Sequence, residues 1–182
     1  MISIKYLHGD ATLPHNNSRT VSVICHCCNA FGGWGRGFVL ALSRRYPKVK
    51  VDYQLFCSPY QRSNKLRNDL MGKVCISKIR PDLYVANIIG QYFYSRNQYE
   101  FRNTAGVLPE FLPSKKSGFV NYESIRRGFQ DIFKKLASEN IEFEIHMPKI
   151  GCGLAGGNWE VMESIIVEEF CRKDVKVYVY DL

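Results

Sequence analysis

Two runs of glycine stand at the ends of apolar strands, and the chemistry they offer is that of main-chain N–H groups. The first run is Gly32, Gly33, Trp34, Gly35, Arg36 and Gly37, after the apolar stretch 21–28. The second is Gly151, Cys152, Gly153, Leu154, Ala155, Gly156 and Gly157, after the stretch 141–147. Glycine reaches positive φ and lets a ligand approach the backbone closely. Each run leads into a helix, whose start supplies free N–H groups and the positive end of a dipole. Together they read as cradles for phosphate, in a chain of net charge +8 that favours an anionic ligand.

Three familiar phosphate motifs do not fit. Gly151 and Gly156 have the spacing that opens a P-loop, but Gly157-Asn158 stands where Lys-Ser/Thr would hold phosphates and magnesium. Gly33-x-Gly35-x-Gly37 is one residue short of the dinucleotide fingerprint, and no suitably placed acid follows. Cys152 lies in a plausible phosphatase loop, yet Asn158 and Trp159 stand where a closing arginine is expected. Cys152 therefore reads as a packing residue and not a nucleophile.

The elements that must position these turns follow from periodicity. The stretches 2–8, 20–28, 73–78, 83–89, 141–147 and 175–180 read as strands, the second nearly continuous in apolar residues and so buried on both faces. Helices are expected after Gly37 (ending at Tyr46-Pro47), over 49–57, from about Asn121, and through Trp159, Met162, Ile166 and Phe170. Alternating strands and helices predict a three-layer α/β domain around a mostly parallel sheet. Ligands in such sheets bind beyond the carboxyl ends of the strands, where both glycine turns fall. Residues 92–121 lack periodicity but hold seven aromatic residues, including Tyr92, Phe93, Tyr94 and Phe111. That segment reads either as a lid over the ligand or as a satellite cluster packed on the core.

Length and composition bound the rest. A chain of 182 residues, 46% hydrophobic, predicts a single globular domain. No apolar run reaches the length of a membrane span, and the start resembles no signal peptide, so a cytoplasmic, monomeric protein is expected. Its seven cysteines are an odd number, mostly within apolar patterns, and read as reduced buried thiols. Cys25, Cys27 and Cys28 lack a second ligand pair, so no metal is expected. The basic pairs, among them Arg44-Arg45 and Arg126-Arg127, are scattered, which argues against a nucleic-acid tail but not against a basic face.

The order of the remaining pieces is more specific. Gly9-Asp10-Ala11-Thr12 follows the first strand, His26-Cys27-Cys28-Asn29 ends the second, and Met147-Pro148-Lys149-Ile150-Gly151-Cys152-Gly153-Leu154 ends the fifth. With Trp159 and the terminal Val-Tyr-Val-Tyr strand, these stretches resemble a macrodomain, the ADP-ribose-binding fold, over essentially the whole length. The subgroup most similar includes the yeast-type ADP-ribose 1''-phosphate phosphatase and the terminal ADP-ribose protein glycohydrolase. The resemblance implies a three-layer α/β/α macrodomain over 1–182 with a mostly parallel, mixed central sheet. It implies that Gly9, Asp10 and Ala11 meet adenine, the Asp10 carboxylate accepting from the exocyclic amine. It implies that Asn29 and the turn Gly33, Trp34, Gly35, Arg36 and Gly37 hold the distal ribose. The turn Gly151, Cys152, Gly153, Leu154, Ala155 and Gly156 would wrap the diphosphate in an anion nest.

Departures limit the chemistry that can be carried over. The glycohydrolase uses a lysine near the end of the fourth strand and an aspartate after Gly-Cys-Gly-Leu. This chain has Asn87-Ile88-Ile89-Gly90-Gln91 and Ala155 there. A phosphatase reading survives, with His26 as general acid/base and Asn29 orienting sugar or water, and with no cofactor. His146 and Trp159 read as structural. Three other readings stay open: a non-catalytic reader of ADP-ribose, free or on protein, a de-ADP-ribosylating hydrolase whose mechanism lacks that lysine and aspartate, and a binder of nucleic acid or poly(ADP-ribose).

Overall fold

In the computed structural model, residues 2–15, 19–94 and 103–181 are described. Six strands follow in chain order: β1 (Lys5–His8), β2 (Val21–Asn29), β3 (Val74–Arg80), β4 (Leu83–Gln91), β5 (Phe143–Pro148) and β6 (Val177–Asp181). Between them lie α1 (Phe38–Arg45), α2 (Pro47–Cys57), α3 (Asn64–Asn68), α4 (Tyr122–Ser138) and α5 (Trp159–Glu169). The strands form one sheet in the order β1-β6-β5-β2-β4-β3. All neighbours pair in parallel except β3 and β4, which the tight turn at Pro81-Asp82 joins as an antiparallel hairpin. The expected mostly parallel, mixed α/β sheet is the observed one.

The alternation of side chains along β2 divides the core. Val23 and Cys25 face the layer of α4 and α5, with Ile88, Phe129, Ile145 and Ile166. Ile24 faces the other layer, with Leu42, Val49 and Val85, beneath α1 and α2. β4 is buried along its whole length to Gly90, as covering on both faces demands. The α1–α2 break falls at Tyr46-Pro47, where proline sits at the first position of the second helix. Asn121 caps α4 by accepting from Ser124 N–H (2.8 Å).

Several bounds differ from expectation for local reasons. β1 starts at Lys5 and not at residue 2, and α3 was not expected. A five-residue helix has too few turns for periodicity to register; here the Ser63 side chain starts it by accepting from Leu66 N–H (3.2 Å). Of the segment 92–121, residues 95–102 lie outside the described residues. The rest is packed against the domain. Phe111 is buried beside Tyr92. Asn121 N–H bonds Gly90 C=O (2.7 Å), and Val120 bridges Gln91.

Gly128 shows how tightly α4 sits on the sheet. A Cβ there would stand 2.5 Å from Ile88 Cγ2 in the central strand β4. Alanine would gain about 1 kcal/mol of helix propensity over glycine, but overpacking a closed core costs about 1–3 kcal/mol. Gly128→Ala is therefore expected to lower stability, by up to about 2 kcal/mol net, in urea denaturation. Unchanged or raised stability would show that the α4–β4 interface can give way.

Candidate functional site

Parallel pairing brings the carboxyl ends of β1, β6, β5 and β2 to one edge, and the candidate site is built there. The two glycine turns meet: a Cβ on Gly37 would stand 3.2 Å from Leu154 Cδ1, so the tip of the second turn lies over the first. Leu154 is itself 65% exposed, an apolar side chain held out at the mouth of the cleft. On the other side, a Cβ on Gly33 would meet Tyr94 Cδ1 at 3.3 Å.

In the second turn Gly151 and Gly156 take φ of +71° and +75°. Cys152 N–H bonds Lys149 C=O (3.1 Å), Gly156 N–H bonds Gly153 C=O (3.0 Å), and Gly157 N–H bonds Gly151 C=O (2.9 Å). Among the described residues, the intervening N–H groups of Gly153, Leu154 and Ala155 have no main-chain acceptor. Three successive unbonded donors on one curled backbone form an anion nest. The turn is braced from behind by residues 118–120, where Phe119 N–H bonds Ala155 C=O (2.8 Å). Gly118, at φ +61°, leaves no room for a side chain, since a Cβ would fall 2.2 Å from that same carbonyl oxygen. This support was missed in the sequence, because nothing in 114–120 signals which loop it will touch.

The first turn is shaped by Asn29. Its Oδ1 accepts from Phe31 N–H and Gly33 N–H (both 3.0 Å), and its Nδ2 donates to Gly33 C=O (2.9 Å). The oxygen is thus filled, and one carboxamide N–H remains for a sugar hydroxyl or a water. Trp34 packs inward, edge-on to His26 and against Tyr53. Arg36 and Gly35 are exposed on the turn. Gly37 precedes α1 without a side-chain cap, leaving the first N–H groups of that helix open.

Asp10 lies after β1 on a turn closed by Leu13 N–H on Asp10 C=O (2.9 Å), while Gly9 N–H bonds Asp181 C=O (3.0 Å) and Ala11 is buried. Asp10 Oδ1 accepts from Thr12 N–H (2.8 Å) and the Thr12 hydroxyl (2.7 Å). Partial burial pushes its pKa up, but the Thr12 bonds and the Arg45 charge outweigh that and hold it below the usual carboxylate range.

His26 is only 2% exposed. The register sets it opposite Asn87 of β4, and Nε2 lies 2.6 Å from Asn87 Oδ1. Asn87 Nδ2 already donates to Cys75 C=O (3.0 Å), which fixes the amide's orientation. His26 Nε2 must therefore carry the proton, and Nδ1 faces the Cys28 thiol (3.6 Å). Burial pushes its pKa down to about 4, against the Asn87 bond. As placed, the ring is a neutral core group between Trp34 and Phe38, not a base open to the cleft. Burial raises the Cys152 thiol to about 11, so it is no thiolate at neutral pH. No group of three or more His, Cys, Asp or Glu positioned to hold a metal occurs among the described residues.

A second hollow lies elsewhere. It is about 810 Å³, between Tyr60, Lys73, Phe111, Asn121 and Arg127, and none of the glycine-turn residues lines it. Three carboxylates, Asp69, Glu110 and Glu123, face its two cations, which suits an anion poorly. The second glycine turn, with its unbonded donors, is the better site for phosphate.

His26 and the buried His146, also depressed to about 4 by burial and by the His15 charge, make stability depend on pH. Both are neutral in the fold and titrate near about 6.5 when unfolded. Their contribution is complete above that value and is lost as pH falls toward about 4. Glu144, raised by burial, offsets part of the loss. The melting temperature is expected to fall steadily from pH 6.5 to 4.5, and a flat profile would mean that the two rings are not held neutral.

Comparison with known proteins adds the family. No protein-family model matches the chain. A protein of unknown function from Bacteroides thetaiotaomicron is 35% identical, with 100% of this chain and 99% of that one covered and a TM-score of 0.79. The ADP-ribose 1''-phosphate phosphatase of Saccharomyces cerevisiae is 27% identical over 189 residues, with both chains covered completely. A macrodomain protein from Streptomyces coelicolor is 31% identical over 99% of both chains, with a TM-score of 0.72. With its mixed six-stranded sheet and two facing glycine turns, and that identity over the full length, this chain belongs to the macrodomain family.

Proposed function

We propose that this protein binds ADP-ribose and hydrolyses ADP-ribose 1''-phosphate or a related ADP-ribose derivative. The observation that carries the reading is the run of Gly153, Leu154 and Ala155 N–H groups without a main-chain acceptor, on a turn whose Leu154 lies against Gly37 of the first, with the ionised Asp10 on the same edge of the sheet. Phosphate, sugar and base each have a partner of the right chemistry. The similarity to the yeast ADP-ribose 1''-phosphate phosphatase supports the same substrate.

Hydrolysis requires water to attack phosphorus, the bond from phosphorus to O1'' to break, and that oxygen to leave with a proton. The nest neutralises the phosphate charge through donors that need no reorganisation. Asn29 holds the first turn in shape and keeps one N–H for the sugar or the water. A cytoplasmic, monomeric setting is part of the reading; free thiols at all seven cysteines fit a reducing compartment.

One observation favours the second reading, a reader of ADP-ribose without turnover. His26 is enclosed and neutral, and Cys152 is protonated, so neither offers a free general base. Phosphorus NMR of ADP-ribose 1''-phosphate with the protein separates the two. Growth of inorganic phosphate is expected, with a loss of about 10²-fold in Asn29→Ala as the turn shifts. Perturbed diphosphate signals without release would make the protein a reader. If folded His26→Ala retains turnover, the ring acts in packing; a loss of about 10²-fold or more would give it the acid/base role.

A further inference from the structure

We infer that Arg45 is a positioning residue that sets base specificity by aiming the Asp10 carboxylate. The inference rests on the reading that the ligand is ADP-ribose with its adenine at Asp10.

Arg45 ends α1 and reaches the turn after β1 at two points. Its Nε donates to Thr12 Oγ1 (3.1 Å), and its terminal guanidinium nitrogen lies 3.5 Å from Asp10 Oδ2. The first contact fixes a proton. Because Arg45 can only donate, Thr12 Oγ1 accepts from it and must turn its own hydrogen to Asp10 Oδ1, at 2.7 Å. Oδ1 then carries two bonds, from the Thr12 hydroxyl and the Thr12 N–H, and is full. Only Oδ2 is left for a ligand, and the second contact of Arg45 sets the carboxylate plane in which it points. Tyr46, the next residue, donates from its hydroxyl to Thr12 C=O (2.8 Å) and holds the same turn.

These contacts face a hollow of about 350 Å³ lined by Asp10, Ala41, Arg44 and Arg45. The Arg45 and Asp10 side chains are 40% and 39% exposed, so the pair adds little to stability; its effect is one of aim. A single ionised acceptor at a fixed angle takes an amine donor and rejects a carbonyl oxygen. It therefore discriminates adenine from hypoxanthine, which carries a carbonyl oxygen in place of the C6 amine and a proton on N1. The same helix begins at Gly37 and ends at Arg45, so α1 ties the ribose turn to the base-reading turn.

Calorimetric titration of the full chain with ADP-ribose and with inosine diphosphate ribose tests this. Wild type is expected to prefer ADP-ribose by at least about tenfold, since a carbonyl facing Oδ2 leaves both groups unpaired. Arg45→Ala is expected to shrink the ratio to within about threefold, mainly by weakening ADP-ribose. Arg45→Lys keeps the charge but not the planar fork, and is expected to leave the ratio small. Arg44→Ala, with no contact to Asp10 or Thr12, is expected to weaken both ligands by a similar factor. If Arg45→Ala weakens both ligands equally or alters neither, or if Arg45→Lys restores the preference in full, the positioning role is overturned. Binding of both ligands by wild type without preference would overturn base reading at Asp10 alone. Binding of neither would overturn the ADP-ribose reading itself.

Discussion

The parallel pairing of β2 with β5 on one side and β4 on the other is the constraint on which the site depends. Parallel neighbours send their carboxyl ends to the same edge, and each return path must cross a face of the sheet as a helix. The turn after β2 and the turn after β5 therefore leave the sheet side by side, close enough for Leu154 to lie over Gly37. β6 and β1 extend the same edge and bring Gly9 and Asp10 to it, pinned by the bond from Gly9 N–H to Asp181 C=O. The register also pairs His26 with Asn87, which closes the interior of β2 and keeps its polar group satisfied.

From that edge the site is made of backbone more than of side chains. Glycine supplies the positive φ at Gly151 and Gly156, at the two ends of the stretch whose N–H groups at 153–155 have no main-chain acceptor. The conformation is held by neighbours: Phe119 N–H on Ala155 C=O behind the second turn, Asn29 within the first, and Thr12 with Arg45 around Asp10. Such a site is preorganised, because donors already fixed in place lose little freedom when an anion arrives.

Much of this was legible in the sequence, for physical reasons. Long apolar strands and a helix such as α4, with Ile125, Phe129, Ile132 and Leu136 on one face, announce themselves by period. Glycines at strand ends announce turns, and their placement at the carboxyl edge follows from the α/β order. Side-chain environments were less legible. His26 looked like a group titrating near neutrality, but its state is set by Asn87, sixty-one residues away, and by Trp34 folding over it. In the sequence Asn87 is distinguished only by its place in the stretch where the glycohydrolase pattern has a lysine. Nothing in the sequence marks Thr12, Arg45 and Gly118 as parts of the site, since their roles come from contacts made when distant turns converge. Period and composition carry no record of such contacts.

The most direct test of the account is an amide shift map of the uniformly labelled protein titrated with ADP-ribose. Shifts are expected at Gly9 to Ala11, at Gly33 to Gly37 and at Gly151 to Gly156, with the largest at Gly153, Leu154 and Ala155, whose N–H groups have no main-chain acceptor. Shifts confined to the hollow around Tyr60, Lys73 and Arg127 would contradict it and move the ligand site to the far side of β4.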